Sequence, residues 1–372
     1  MKKENKTNKI YNGILGIFFF AYAVGFGFLT SITLLSGFFS FPEVLVGLVG
    51  LVVSYYIAII VHEGGHLLFG LLAGYSFSSF RIFSFMWIKQ DDRIRLRRFS
   101  LAGTGGQCLM TPPEEESRAQ TLIYNFGGVI ANVILAALFA LLYWLTLSNV
   151  LLALVFLLGA AISFFVAITN GIPFNVGGIA NDGMNAIQLT KNPAAKDAFR
   201  KQLLMNAAQT RGILTADMPD EWFTLSDGAD MQNIHCASIA VFNAQRPLDR
   251  LDTHTAEQTI EGVLGSDYNI IGLYRSLLTC DLITCRLINQ DSPDVSALIT
   301  PELEKFMKSM RTYPGVIRTQ YAIALLVKND EKSAEKILLD FDKVAKKYPY
   351  PSNIEVERGI IAKILEKFKS KI

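Results

Sequence analysis

The chain has 372 residues, of which 51% are hydrophobic and 18% are charged, and its formal net charge is +2 at pH 7. This hydrophobic fraction indicates a membrane protein, and a net charge near zero gives no reason to expect nucleic acid as a partner. The charges are unevenly distributed, because residues 191–372 hold 24 acidic and 24 basic side chains. We therefore expect an all-α, soluble, electrically balanced domain after an N-terminal half embedded in a membrane.

Four uninterrupted apolar stretches predict four membrane-spanning helices. Each is close to the roughly 20 residues with which a helix crosses a bilayer. The first is longer than the apolar core of a cleaved signal peptide, so we interpret it as an uncleaved span. A tight turn at Phe41-Pro42-Glu43 is expected between the first two spans. The predicted spans cover about 10–41, 44–73, 121–147 and 150–168.

A polar segment at residues 75–120 separates the second span from the third. Residues 76–99 contain alternating apolar and polar side chains around Gln90-Asp91-Asp92, which predicts a small β-hairpin inserted between the spans. The glycines of 103–106 and the pair Pro112-Pro113 are typical of loops.

The basic residues predict the orientation of the spans. The N-terminal tail carries four lysines and the 75–120 segment seven basic residues, whereas the turns at 41–43 and 148–149 carry none. Since basic residues accumulate on the cytoplasmic side, we expect both termini and the 75–120 segment in the cytoplasm. The C-terminal end of the second span then lies near the cytoplasmic side of the bilayer.

That end of the second span contains the sequence His62-Glu63-Gly64-Gly65-His66. Positions i and i+4 of a helix share one face, so His62 and His66 could hold one metal ion, with Glu63 beside them to accept a proton. Charged groups at a bilayer centre cost about 2.5–3.5 kcal/mol each, so they are normally paired, metal-bound or in a wet cavity. That cost favours a zinc-hydrolase motif over two helix-end histidines hydrogen-bonded to neighbours.

A third metal ligand is expected where the fourth span ends. Glycine, proline and asparagine residues break the helix across 171–183, at the same depth as the histidines. Asp182 is the one acidic residue between Ser117 and Lys191, and a carboxylate suits a third zinc ligand. Asp is also a favoured helix N-cap, and spacing alone leaves both roles open. The need for a third ligand favours the metal.

Residues 191–372 predict a series of short helices, because apolar positions recur there at the helical period. Their lengths and pairing suggest α-hairpin repeats, although no clean 34-residue repeat is found. His235 and His254 have no local partners that complete a metal set, so we interpret them as ordinary surface or packing histidines. We also expect buried, reduced thiols at Cys108, Cys236, Cys280 and Cys285.

These motifs together resemble the site-2 protease family of intramembrane zinc metalloproteases. Gly128-Val129-Ile130-Ala131-Asn132 is similar to the family's Gly-Pro-x-x-Asn segment, with Val129 at the position of the proline. Asn170-Gly171-Ile172-Pro173 followed by Asp182-Gly183 is similar to its Asn-x-x-Pro…Asp-Gly element, with a longer gap. The glycines of 103–106 are similar to those of the hairpin that members insert between the first two core spans. The likeness covers roughly 44–190.

The composition and the resemblance together lead us to expect a protein of three parts, of which the resemblance covers only the middle one. Residues 1–43 would form the tail and first span, residues 44–190 the metalloprotease core, and residues 191–372 the helical domain. The fold class expected is an α-helical polytopic membrane protein, with four spans and a small β-hairpin, joined to the all-α domain. We expect it in the cell membrane of a bacterium.

The resemblance also implies roles for the site residues. Zn²⁺ would be held by His62, His66 and Asp182, and Glu63 would be the general base. Asn132 or Asn170 would hydrogen-bond substrate backbone or the oxyanion, with polar contacts between helices as the alternative for Asn132.

The expected activity is that of a zinc metalloendopeptidase, which hydrolyses membrane-spanning or signal-peptide-derived substrates near the cytoplasmic side. Its partners would be that substrate, the lipid bilayer and a protein bound by the C-terminal domain. The predicted hairpin could supply an edge strand to an extended substrate. Three alternatives stay open: a non-proteolytic zinc-binding adaptor that captures helices, a channel or transporter, and an enzyme that trims short secreted peptides.

Overall fold

The computed structural model describes residues 41–90, 93–100, 104–176 and 179–370. The lysine-bearing tail and the first predicted span, apart from Phe41, lie outside the described residues. The four histidines and four cysteines of the chain all lie within them.

Three long apolar helices are present where the second, third and fourth spans were predicted. Among the described residues these three are long and apolar enough to cross a membrane. Residues 41–43 are helical and belong to the first of these helices, so the tight turn predicted there is wrong. The helices are α1 (Phe41–Leu72), α2 (Arg118–Leu145) and α3 (Val150–Gly171).

The polar segment between α1 and α2 forms a four-stranded antiparallel sheet of order β3-β2-β1-β4. The prediction of a single hairpin was therefore incomplete. Phe83 lies in the alternating run but has φ 53°, and it makes a second turn there. A fourth strand that was not predicted lies between the glycines of 103–106 and the pair Pro112-Pro113. The strands are β1 (Ser76–Ile82), β2 (Phe85–Gln90), β3 (Arg93–Arg98) and β4 (Gly106–Thr111).

After α3 the chain makes two very short strands and two helices. Asn192 caps the second of these helices by accepting a hydrogen bond from the backbone N–H of Ala195 at 3.1 Å, and Pro193 occupies its first turn. These residue types favour a helix start at that point. The elements are β5 (Asn175–Val176), β6 (Ile179–Ala180), α4 (Asp182–Lys191) and α5 (Pro193–Thr210).

The rest of the described chain is helical, in agreement with the prediction. Two 3₁₀ turns, Thr215–Asp217 and Asp220–Trp222, come first, and a π-helical turn, Ile323–Val327, continues α10. Whether the helices form repeats stays a prediction. The helices are α6 (Ile234–Asp249), α7 (Thr253–Gly265), α8 (Gly272–Asn289), α9 (Pro301–Ser309), α10 (Pro314–Ala322), α11 (Glu331–Ala345) and α12 (Pro351–Lys369).

The described residues divide into two compact units. The first contains 41–66, 125–175 and 180–185, and the second contains 67–124, 176–179 and 186–370. All the site residues named from the sequence belong to the first unit. The two domain boundaries drawn from the sequence, at 43/44 and 190/191, stay predictions.

The core of the second unit joins the sheet to the C-terminal helices. Met86 and Ile88 of β2 pack in one apolar cluster with residues of α7 and α8, including Ile260 and Leu278. The side-chain amide of Gln90 donates a hydrogen bond to the backbone carbonyl of Pro349 at 3.0 Å. The buried face of β2 thus belongs to the same core as helices that lie more than 150 residues later in the sequence.

A buried arginine ties three helices of this unit together. Arg318 of α10 is 1% exposed, and its guanidinium donates to Asp281 of α8 at 2.5 Å and lies 3.3 Å from Glu357 of α12. Burial raises the pKa of Glu357 to about 7 despite that neighbour. A buried arginine needs such carboxylate partners, because an unpaired charge in the interior is strongly destabilising.

The thiols and the remaining histidines agree with their predictions. All four cysteines are free and buried. His235 packs its ring against Phe199, with centroids 5.1 Å apart, and burial lowers its pKa to about 4. His254 is exposed. Neither histidine belongs to a metal-binding group within the described part of the chain.

Candidate metal centre

The imidazole rings of the two histidines of α1 converge, with their Nε2 atoms close together. His62 and His66 stand one helical turn apart, and their Nε2 atoms are 3.3 Å from each other. The rings meet edge to face, with centroids 4.9 Å apart. Both residues are buried, at 7% and 8% exposure. Two imidazole nitrogens that converge in an apolar setting need a shared partner.

Asp182 supplies that partner. Its Oδ2 atom lies 3.0 Å from His62 Nε2 and 3.3 Å from His66 Nε2. Burial acts to raise the pKa of this carboxyl, but the charge of His66 and hydrogen bonds from both imidazoles outweigh burial and hold the pKa well below its ordinary value. The carboxylate is therefore ionised and able to act as a ligand.

Asn181, rather than Asp182, caps helix α4. The Asn181 side-chain oxygen accepts from the backbone N–H of Met184 at 2.9 Å, which is the usual N-cap bond. Asp182 is then the first residue of the helix, and its side chain is free to face the histidines. The cap role that sequence spacing left open for Asp182 is filled by its neighbour.

Asn181 also ties α4 to the end of α3. Its side-chain amide donates to the carbonyls of Thr169 at 2.8 Å and Ile172 at 2.6 Å, and its oxygen accepts from the backbone N–H of Phe174 at 3.2 Å. Sequence reasoning did not assign this role. The available signal was an asparagine immediately before the acidic residue of a new helix.

Small residues let the backbones approach the histidines. A Cβ atom on Gly128 of α2 would lie 2.7 Å from both His62 Cε1 and His66 Nε2. A Cβ atom on Gly65 would overlap the backbone of Gly127 on α2, whereas one on Gly64 would meet nothing within 4 Å. Glycine is therefore required at 65 and 128 for the close packing of α1 and α2 around the imidazoles.

The three donor atoms fit a zinc ion. In a tetrahedral site with bonds of about 2.0–2.1 Å, any two ligand atoms are about 3.3 Å apart. The three separations among His62 Nε2, His66 Nε2 and Asp182 Oδ2 are 3.0, 3.3 and 3.3 Å. Two imidazoles and one carboxylate form three corners of such a site, and among the described residues no protein ligand fills the fourth corner, as in catalytic zinc sites.

The other predicted site residues, Glu63, Asn132 and Asn170, differ in burial and in hydrogen bonding. Glu63 follows His62 in α1 and is half-buried. Asn132 lies one turn beyond Gly128 in α2 and is completely buried, and neither of its amide atoms has a hydrogen-bond partner among the described residues. The amide of Asn170 donates to the carbonyl of Val166 in its own helix at 2.9 Å. The side-chain amide of Asn132 can therefore still make hydrogen bonds. The amide nitrogen of Asn170 already makes one within α3.

Comparison with known protein families gave a match over the part of the chain that holds the site. Residues 44–205 match the model of the family described as Peptidase M50B-like. This range contains both histidines, Glu63, Asn132, Asn170 and Asp182. No curated protein and no solved structure matched the chain.

Proposed function

We propose that this chain is an intramembrane zinc metalloendopeptidase, because the match of residues 44–205 to the Peptidase M50B-like family supports membership of the site-2 protease family. The family suggests a metallopeptidase that acts within a membrane. The observation that carries the proposal is the triangle of donor atoms from His62, His66 and Asp182, whose sides match the edges of a tetrahedral zinc site.

The metal ligands and the residues next to them have distinct roles in the proposed reaction. A zinc ion at this site would polarise water and the scissile carbonyl. Glu63 accepts the proton that the attacking water loses and returns it to the leaving amine. Asp182 balances part of the metal charge. Gly128 keeps the imidazoles close enough to share one ion.

Asn132 is the candidate for orienting the substrate. Its buried amide has no hydrogen-bond partner among the described residues, and an unpaired amide costs about 1–3 kcal/mol. A substrate carbonyl or backbone N–H that reached this amide would recover that energy. For Asn170 the same role has less support, because its amide nitrogen already donates within α3.

The substrate we propose is a membrane-spanning or signal-peptide-derived segment, cut near the cytoplasmic side. A peptide bond in a helix is protected by the helix's own hydrogen bonds, so the segment must unwind before attack. The sheet has two edge strands, β3 and β4, and an extended substrate could add a strand to one of them. The three apolar helices support a location in the cell membrane.

The test uses the full-length protein in detergent with a single-span substrate. We expect wild type to cleave it, and Glu63→Gln to leave it uncut while retaining zinc. Glu335→Gln, which neutralises an exposed glutamate of α11, is the matched control and should cleave normally. The adaptor alternative predicts that wild type and Glu63→Gln both bind zinc and both leave the substrate intact. That result would refute the protease.

A further inference from the structure

The second unit contains a cavity that the proposed proteolysis does not use. It has a volume of about 310 Å³, at the lower end of the range for small-molecule sites. It lies where β1 begins, where β2 and β4 end, and where helix α5 ends. The side chains that matter for its chemistry are Ser76, Ser78, Lys89, Thr111, Thr210 and Arg211.

The charged side chains that line this cavity among the described residues are both positive. Lys89 and Arg211 are the charged residues that line it, and no carboxylate lines it among the described residues. Arg211 is exposed at the end of α5. A lysine and an arginine on one small cavity attract an anion, and a phosphate group offers oxygens to both.

A β-bulge brings a hydroxyl into the same cavity. The register between β1 and β4 shifts between Phe77 and Ser79, so Ser78 is the extra residue. Bulges redirect side chains, and Ser78, which is only 3% exposed, places its Oγ atom 2.7 Å from Thr111 Oγ1. One hydroxyl of this pair donates to the other. The hydroxyl that accepts therefore keeps its own O–H for a further acceptor.

The cavity lies close along the chain to a predicted membrane span. Only three residues, 73–75, separate the end of α1 at Leu72 from Ser76, which corresponds to at most about 14 Å of extended chain. Lipid headgroups are the most concentrated phosphate compounds next to the end of such a helix. Basic pockets between transmembrane helices on the cytoplasmic side are known to bind anionic headgroups, and a basic cavity close along the chain to such a helix could bind the same chemical group.

We propose that this cavity binds the phosphate group of an anionic phosphate compound. Lys89 and Arg211 supply the charge, and the Ser78–Thr111 pair supplies a hydrogen-bond donor. The site is built from residues of the second unit, so it does not depend on the metal centre or on proteolysis.

The experiment is calorimetric titration of the full-length protein in a non-ionic detergent. The probes are dihexanoyl phosphatidylglycerol, inorganic phosphate and, as the phosphate-free comparison, dihexanoyl glycerol. We expect phosphatidylglycerol to bind and dihexanoyl glycerol not to bind. If inorganic phosphate also binds, the site recognises the phosphate group from either source. If it does not, the glycerol and acyl parts contribute and the ligand is a lipid.

Variants connect the binding to this cavity. Lys89→Gln/Arg211→Gln should weaken the binding of phosphatidylglycerol at least tenfold, and Ser78→Ala severalfold. Lys305→Gln/Arg311→Gln removes the same two charges from exposed positions elsewhere in the second unit and should bind as wild type does. Absence of binding to every phosphate probe, or equal losses in both double variants, would overturn the proposal.

Discussion

At the scale of single residues, the space around the imidazoles is set by Gly128. Its neighbours His62 and His66 leave no room for a methyl group, although alanine is the better helix former by about 1 kcal/mol. We expect Gly128→Ala to weaken zinc binding at least tenfold without unfolding α2. Zinc content measured against a series of chelators tests this. Gly64→Ala, whose Cβ meets nothing within 4 Å, is the control. Equal zinc affinity in both variants would contradict this role for Gly128.

Glu357 makes the stability of the second unit depend on pH. Its pKa is raised by burial to about 7, above the ordinary value of 4.5, so folding favours the protonated form. This stabilisation is complete below about pH 4.5 and is lost as pH rises through about 7. The loss amounts to up to about 3 kcal/mol.

We therefore expect the melting temperature of the wild type to fall between pH 5 and 8 by more than that of Glu357→Gln. The two proteins should have similar melting temperatures at pH 5, where Glu357 is protonated. Burial raises the pKa of Asp249 to about 6. Asp249 therefore also lowers the melting temperature as the pH rises, and it does so equally in wild type and in Glu357→Gln. Melting followed by intrinsic fluorescence at each pH provides the measurement. Parallel curves for the two proteins would show that Glu357 ionises normally.

The residues of the candidate metal centre could be named from the sequence, but the residues that hold them in place could not. Two histidines four residues apart in a helix lie on the same face, so the sequence motif itself predicts that their imidazoles are close together. Asp182 followed from chemistry, because it is the single acidic residue near the right depth. The roles of Gly128 and Asn181 depend on the distance between α1 and α2 and between α3 and α4. The spacing of residues along the sequence does not give these distances in space.

At the scale of elements, the junction between α3 and α4 decides where Asp182 lies. We expect Asn181→Ala to lose the cap of α4, about 1 kcal/mol, and to leave the carbonyls of Thr169 and Ile172 without their side-chain donor. Zinc affinity should fall at least tenfold, because Asp182 loses its fixed position. Asn192→Ala removes the corresponding cap of α5 and should leave zinc affinity unchanged. Unaltered zinc affinity in Asn181→Ala would show that the junction is held by other contacts.

The elements themselves were predictable to different degrees. Long apolar runs define α1, α2 and α3, because no other element fits a run of that length and composition. The sheet was only partly predicted. The alternation continues through Phe83, and only the left-handed backbone at that residue reveals the extra turn. The strand Gly106–Thr111 is recognisable through its pairing with β1, which is a contact between distant residues.

At the scale of the whole molecule, the charge distribution predicted an apolar part followed by a helical part. It did not predict that β2 shares a core with the C-terminal helices. Alternation along β2 shows that one face is buried, with Met86 and Ile88 inside, but it does not identify what covers that face.

Zinc should stabilise the first unit of the folded protein by mass action. A ligand that binds only the folded state contributes about 2.7 kcal/mol when its free concentration is 100 times its Kd. We expect added zinc to raise the melting temperature of the chelated wild type and to have little effect on Asp182→Ala. Differential scanning fluorimetry with and without zinc measures this shift. Equal shifts in the two proteins would place the zinc elsewhere in the chain.

The separation of the ligands along the sequence also affects how the protein is made. His62 and Asp182 are 120 residues apart, and a ribosome needs roughly 6–24 s to add that many at 5–20 residues per second. During this interval a nascent chain carries both imidazoles without the carboxylate, and the ion site is incomplete. A metal centre assembled this way cannot form until residue 182 has been added, so any activity that depends on the ion begins only after the fourth predicted span has been made.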